Sequence, residues 1–210
     1  MRAIYRGRCA AGGLLLTAVL LLAVAGPAMA SEITQPIEQL DARLLEIMKA
    51  GKDTPFEQRY TLLAPAVIGA IDLDAILQGG VGSTWDTLKP DEKAALKTAF
   101  QRYSTATYVA NFDEYGGEKF ELTPPADAAN PVVRVKIVPG KPGDDMHTLG
   151  YTMRQTGGKW KAINITVDGY ISQSVVQQAQ IKALLIVGGI DGLYARLQQK
   201  TADLSGGTMK

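Results

Sequence analysis

Apolar positions recur at helical spacing in the first third of the chain, alternate with polar ones in the middle, and return to helical spacing at the end. Ile37, Leu40, Leu44 and Ile47 follow Pro36 and predict an amphipathic helix over 36–50, ended by Gly51. Thr54-Pro55-Phe56-Glu57 reads as a capping box with proline at the first helical position. Pro65 is expected to break or kink the helix that follows. Asp72 can cap a short helix over Leu73–Leu77, which Gly79-Gly80 would stop. Pro90-Asp91-Glu92 opens a longer helix with Leu96, Phe100 and Tyr103 along one face, and its early acids suit the helix dipole.

The period then becomes two. Glu118–Thr123 predicts a short strand. Val133, Val135 and Ile137 alternate with Arg134 and Lys136, the pattern of a half-buried antiparallel strand over Val132–Val138. Leu149, Tyr151 and Met153 alternate with Thr148, Thr152 and Arg154. Gly157-Gly158 marks a hairpin turn, and beyond it Ile163, Ile165 and Val167 alternate with Asn164 and Thr166. Trp160 is out of phase with those three, so either a bulge intervenes or its ring covers the opposite face. A final helical region runs from Ser172 to about Lys200, interrupted at Gly188-Gly189. The fold class is α+β: helices on one face of an antiparallel sheet of about four strands.

The first thirty residues follow a different rule. Arg2, Arg6 and Arg8 precede a nearly unbroken apolar run from Leu14 to Val24, followed by the helix-breaking Gly26-Pro27 and by Ala28-Met29-Ala30. This is the pattern of a cleavable secretory signal peptide over 1–30, with a single domain over 31–210. The rival reading, a permanent anchor, needs about 20 apolar residues, more than the run supplies. Of 22 basic and 21 acidic residues, three arginines leave with the signal, so 19 face 21 and the mature net charge is −2. That balance excludes a strongly basic surface for nucleic acid. Cys9 is the one cysteine and precedes the apolar run, so the mature chain relies on neither disulfides nor thiolate metal sites.

The inventory of reactive groups is sparse. His147 is the single histidine, and Pro142-Gly143-Asp144-Asp145 before it reads as the tip of a hairpin, where a histidine is solvated. Asp72 and Asp74 are spaced for helix capping, and no His/Cys cluster suggests a metal or other cofactor. Gly79-Gly80-Val81-Gly82 lacks the lysine and hydroxyl of a phosphate-binding loop and is read as a helix terminator. Asn164-Ile165-Thr166 matches a glycosylation sequon inside a predicted strand and is taken as chance.

Three stretches give the chain a likeness. Gly82-Ser83-Thr84-Trp85 precedes "TLKPDEKAALKTAF"; "YVANFDEYGGEKFEL" leaves that helix for the first strand; and "GGKWKAINITVDGYISQSVVQQAQIKALLIVGGIDGLYARLQQK" closes the chain. In this order they resemble the MlaC-type family of periplasmic phospholipid-binding (organic-solvent or toluene tolerance) proteins, including its hopanoid-associated HpnM branch. Two positions depart from the family pattern: Gln178 and Ile181 stand where an arginine and a phenylalanine are usual, and Gly169-Tyr170-Ile171-Ser172 is one residue longer.

The resemblance implies a carrier, not an enzyme, that holds acyl chains in an apolar pocket between sheet and helices. It would shuttle phospholipid between an outer-membrane lipoprotein and an inner-membrane ABC transporter complex, maintaining outer-membrane lipid asymmetry. Shielding is needed because each exposed methylene costs about 0.8 kcal/mol, so a 16-carbon chain strands roughly 12 kcal/mol. The expected lining is Val133, Val135, Ile137, Leu149, Tyr151, Met153, Ile163, Ile165 and Val167 from the sheet, with Phe100, Tyr103 and Leu184 from helices. A plain core would use the same residues. Three alternatives stay open: a carrier of hopanoid or another polycyclic lipid, a small secreted enzyme using His147 or Asp168, and a solid-core partner-binding module. An interior cavity separates the carrier from the last of these.

Overall fold

The computed structural model describes residues 26–209, so Cys9 and the Leu14–Val24 run of the expected signal peptide lie outside the described residues. Helix α1 spans Gly26–Ala50, α2 Phe56–Ala70, α3 Leu73–Val81, α4 Thr84–Thr87 and α5 Pro90–Asn111. Strands β1 (Lys119–Thr123), β2 (Val132–Val138), β3 (His147–Thr156), β4 (Lys159–Val167) and β5 (Ile171–Ser172) follow, and α6 (Gln173–Leu204) ends the chain. The strands form one antiparallel meander in the order β1-β2-β3-β4-β5. The fifth strand, beyond the four expected, arises because Asp168 (φ 52) and Gly169 (φ 76) turn the chain back so that Ile171 pairs with Val167. Among the described residues no helix is long and apolar enough to cross a membrane.

Several local expectations changed. Gly26 and Pro27, the first of the described residues, are already helical in α1, and Pro36 lies inside that helix. Ile37, Leu40, Leu44 and Ile47 are fully buried, as the spacing predicts. The Thr54 capping box does not form: the Thr54 hydroxyl instead donates to the Ala50 carbonyl at 3.0 Å, and Pro55 takes the N-cap position of α2. That helix also continues through Pro65. A glutamate cap forms instead on α5, where the Lys89 N–H donates to the Glu92 carboxylate at 2.7 Å.

Gly79 and Gly80 do not end α3; the helix runs to Val81 and is closed by Gly82 at φ 65. Their role is packing. A Cβ on Gly80 would lie 2.8 Å from the Ile181 Cβ, so this pair lets α6 approach α3 closely. At the other chain break the expectation holds: Gly189 adopts φ 62, ψ −160 and interrupts α6.

A β-bulge explains the phase of Trp160. In the β3–β4 register Thr152 faces Asn164 and Met153 faces Ala162, so Ile163 is skipped. Side-chain parity reverses there, which puts Ala162 and Trp160 on the same side as Ile165 and Val167. Ala162 is buried, whereas Ile163 is half-buried and leaves the set to which simple alternation assigns it. The buried face of the sheet carries Val133, Val135, Tyr151 and Met153, all packed into one core with α1, α2, α3, α5 and α6.

Candidate functional site

A cleft of about 330 Å³ opens between the buried face of the sheet and the helices. This volume falls at the lower end of the roughly 300–1,000 Å³ range of small-molecule sites. Leu149, Ile165 and Val167 supply the sheet wall. Ile71 caps the end of α2, Leu73 and Ile76 come from the start of α3, and Ser104, Thr107, Tyr108 and Asn111 from the C-terminal half of α5, with Phe112 at its C-cap. Gln173 and Gln177 from the first turns of α6 complete the lining, and none of the lining residues carries a charge.

Local chemistry fixes each wall. Asp72 joins α3 to the sheet: its carboxylate accepts from the Ala75 N–H at 3.0 Å and from the Thr156 hydroxyl at 2.9 Å, while its own N–H donates to the Ala162 carbonyl at 2.9 Å. The capping role read from the sequence is correct, and the same side chain also sets the distance from α3 to the sheet. The end of α5 is held by rings. Tyr108 stacks on Phe112 with centroids 6.1 Å apart, and Phe112 meets Phe120 of β1 edge-on at 6.2 Å. The buried Arg59 guanidinium donates to the Val109 carbonyl at 3.3 Å, satisfying one of the acceptors a helix C-terminus leaves open. Ser172 caps α6 by accepting from the Val175 N–H at 3.1 Å, so the cleft lies at the start of that helix.

Three titratable groups influence one another beside the cleft. Asp41 of α1 is buried; burial, followed by the charge of Glu38, pushes its carboxyl up to about 7. Tyr108, a cleft residue, is raised by burial and then by the Asp41 charge. Tyr151 is raised well above the ordinary tyrosine value by burial first, then by Tyr108 and Asp41. Neither Asp41 Oδ1 nor the Tyr151 hydroxyl has a hydrogen-bond partner among the described residues.

The expected lining residues separate into distinct environments. Leu149, Ile165 and Val167 line the cleft. Phe100, Tyr103 and Leu184 border a narrow seam between α5 and α6, of about 10 Å³, which also touches Gln177. Val133, Val135, Tyr151 and Met153 are packed core, Ile137 is half-buried between its register partners Phe120 and His147, and Ile163 is in the bulge. Sequence reasoning missed the cleft residues of α3 and of the last turns of α5. A usable signal was present: Ser104, Thr107 and Asn111 form one stripe at i, i+3 and i+7.

His147 begins β3, and its Nδ1 lies 2.9 Å from Asp168 Oδ2, with the Thr148 N–H donating to the other oxygen at 2.8 Å. The histidine is solvated, as expected, although it is paired with the carboxylate at the far end of β4. The hydrogen bond from His147, then that from Thr148, lowers the Asp168 carboxyl below its usual range. Both side chains are about half exposed and neither lines the cleft, so the two acid–base candidates meet at the surface.

The model of one family, MlaC protein, matches residues 38–199 of this chain. Among curated proteins no relative matches the sequence significantly. Among solved structures, a phospholipid-binding protein from Ralstonia solanacearum, determined in complex with a phospholipid, has the same fold with a TM-score of 0.68. It is 19% identical, and the alignment covers 83% of this chain and 99% of that one. With the family model spanning every element from within α1 to within α6, the chain belongs to the MlaC family.

Proposed function

We propose that this protein is a periplasmic lipid carrier that shields the acyl chains of a phospholipid in the cleft between sheet and helices. The observation that carries the reading is an uncharged cleft walled by Leu149, Ile165, Val167, Ile71, Leu73 and Ile76 in a member of the MlaC family. The phospholipid held by the Ralstonia solanacearum protein of the same fold supports it. The chemistry of carriage is desolvation, so the protein needs an enclosed apolar surface and no reacting group. Phe100, Tyr103 and Leu184 extend that surface along the α5–α6 seam.

In this reading residues 1–30 direct export and are removed, and the carrier exchanges lipid with an outer-membrane lipoprotein and an inner-membrane ABC transporter complex. The test is transfer of labelled phospholipid from donor to acceptor vesicles. The purified protein should raise the transfer rate in proportion to its concentration. A rate equal to that of vesicles alone would remove the carrier role. Chemical identification of lipid extracted from the protein separates diacyl phospholipid from a polycyclic lipid such as a hopanoid.

A further inference from the structure

The cleft has two unlike sides. Facing the apolar wall of α3 and the sheet is a seam of uncharged polar side chains: Ser104, Thr107 and Asn111 on α5, with Gln173 and Gln177 on α6. Mid-helix hydroxyls ordinarily return a hydrogen bond to the carbonyl four residues back. Thr107 does so, donating to the Tyr103 carbonyl at 2.9 Å. Ser104 does not: it is buried and its Oγ has no partner among the described residues. A buried donor without an acceptor is costly, which makes this atom the part of the cleft wall most in need of one.

The seam also has a direction. One turn back from Ser104 and Thr107 on α5 are Phe100 and Tyr103, and one and two turns on from Gln177 are Ile181 and Leu184; these apolar residues line the adjoining α5–α6 seam. Gln177 borders both spaces. A ligand following this track meets polar groups first and mainly apolar groups beyond them, although Gln180 and Lys200 also border the second space.

We propose that Ser104 donates a hydrogen bond to an acyl carbonyl of the bound lipid, so that the cleft selects ester-linked glycerolipids by their linkage and not by their chains alone. This deepens the carrier reading and rests on it. Other lipid classes fit the seam less well. A hydrocarbon leaves the Ser104 hydroxyl without an acceptor, and an ether-linked chain lacks the carbonyl and offers only its linking oxygen. A free fatty acid brings a carboxylate into a cleft whose own lining offers no cation, Lys200 bordering only the adjoining seam. An ester carbonyl is an uncharged acceptor, and the chain leaving it is apolar.

The test uses delipidated protein and displacement of a fluorescent phospholipid by dipalmitoyl phosphatidylethanolamine or by its dihexadecyl ether analogue, which has the same chain length and headgroup. Wild type should prefer the ester by about five- to tenfold, the factor that one net hydrogen bond supplies. Ser104→Ala should bind the two lipids alike. Equal binding by wild type, or a preference that survives Ser104→Ala, would overturn the role of Ser104 and leave the carrier reading standing. If the fluorescent phospholipid itself does not bind the delipidated wild type, both proposals fall.

Discussion

Replacing Asp41 by asparagine should stabilise the protein at high pH and do little at low pH. The Asp41 carboxyl is buried and raised from 3.8 to about 7 in the folded state. Between about pH 4 and 7 the folded chain therefore keeps a proton that the unfolded chain has released. Stability falls as pH rises through that window and is level with respect to this group above it. A shift of about 3 pH units at about 1.4 kcal/mol each sets a ceiling of roughly 4 kcal/mol on the penalty of ionised Asp41. For a domain of this size that corresponds to roughly 8–16 °C in melting temperature, and relaxation around the charge lowers the realised value. Thermal unfolding followed by circular dichroism at pH 8.5 and pH 4.0 measures the difference. Asp41→Asn should melt at least about 4 °C above wild type at pH 8.5, and within about 1 °C of it at pH 4.0. An equal gain at both values, or a loss at pH 8.5, would refute the assignment of the buried proton to Asp41.

Three further outcomes follow from the packing. Val167→Trp places an indole in the cleft and should abolish phospholipid binding, measured by displacement of a fluorescent lipid, while leaving the circular dichroism spectrum unchanged. Gly80→Ala forces a Cβ to 2.8 Å from the Ile181 Cβ and should destabilise the fold by about 1–3 kcal/mol in urea titration; adding Ile181→Gly, which removes that Cβ, should give a double mutant more stable than the sum of the singles predicts. Gly189→Ala, at φ 62 and ψ −160, should cost about 1–3 kcal/mol in the same assay, because that backbone region is nearly closed to residues with a Cβ.

The elements were largely legible in the sequence, and the reasons differ from one to the next. Val133, Val135, Tyr151 and Met153 follow strict alternation and are buried where it puts them. Asp72, Pro90-Asp91-Glu92 and Ser172 act as local start signals whose hydrogen bonds involve near neighbours, so a short window contains the information. Gly79-Gly80 was misread because its meaning depends on Ile181, a hundred residues away, and not on its own helix. The bulge at Ile163 defeated simple parity, although Trp160 out of phase was its visible trace. The cleft was the least legible feature. Leu149 and Val133 have the same kind of side chain in the same kind of pattern, yet one borders open space and the other packed core. What separates them is which helix lies opposite, and the periodicity of a strand carries no record of that. The polar stripe of Ser104, Thr107 and Asn111 on an otherwise core-facing helix was the one local sign of the cleft.

The carrier account is tested most directly by native mass spectrometry of the protein purified without detergent. It predicts a species heavier than the polypeptide by the mass of one diacyl phospholipid, which collapses to the bare chain after organic extraction and is absent from Val167→Trp. A wild-type protein that shows only the polypeptide mass, both as purified and after incubation with phospholipid vesicles, would contradict it.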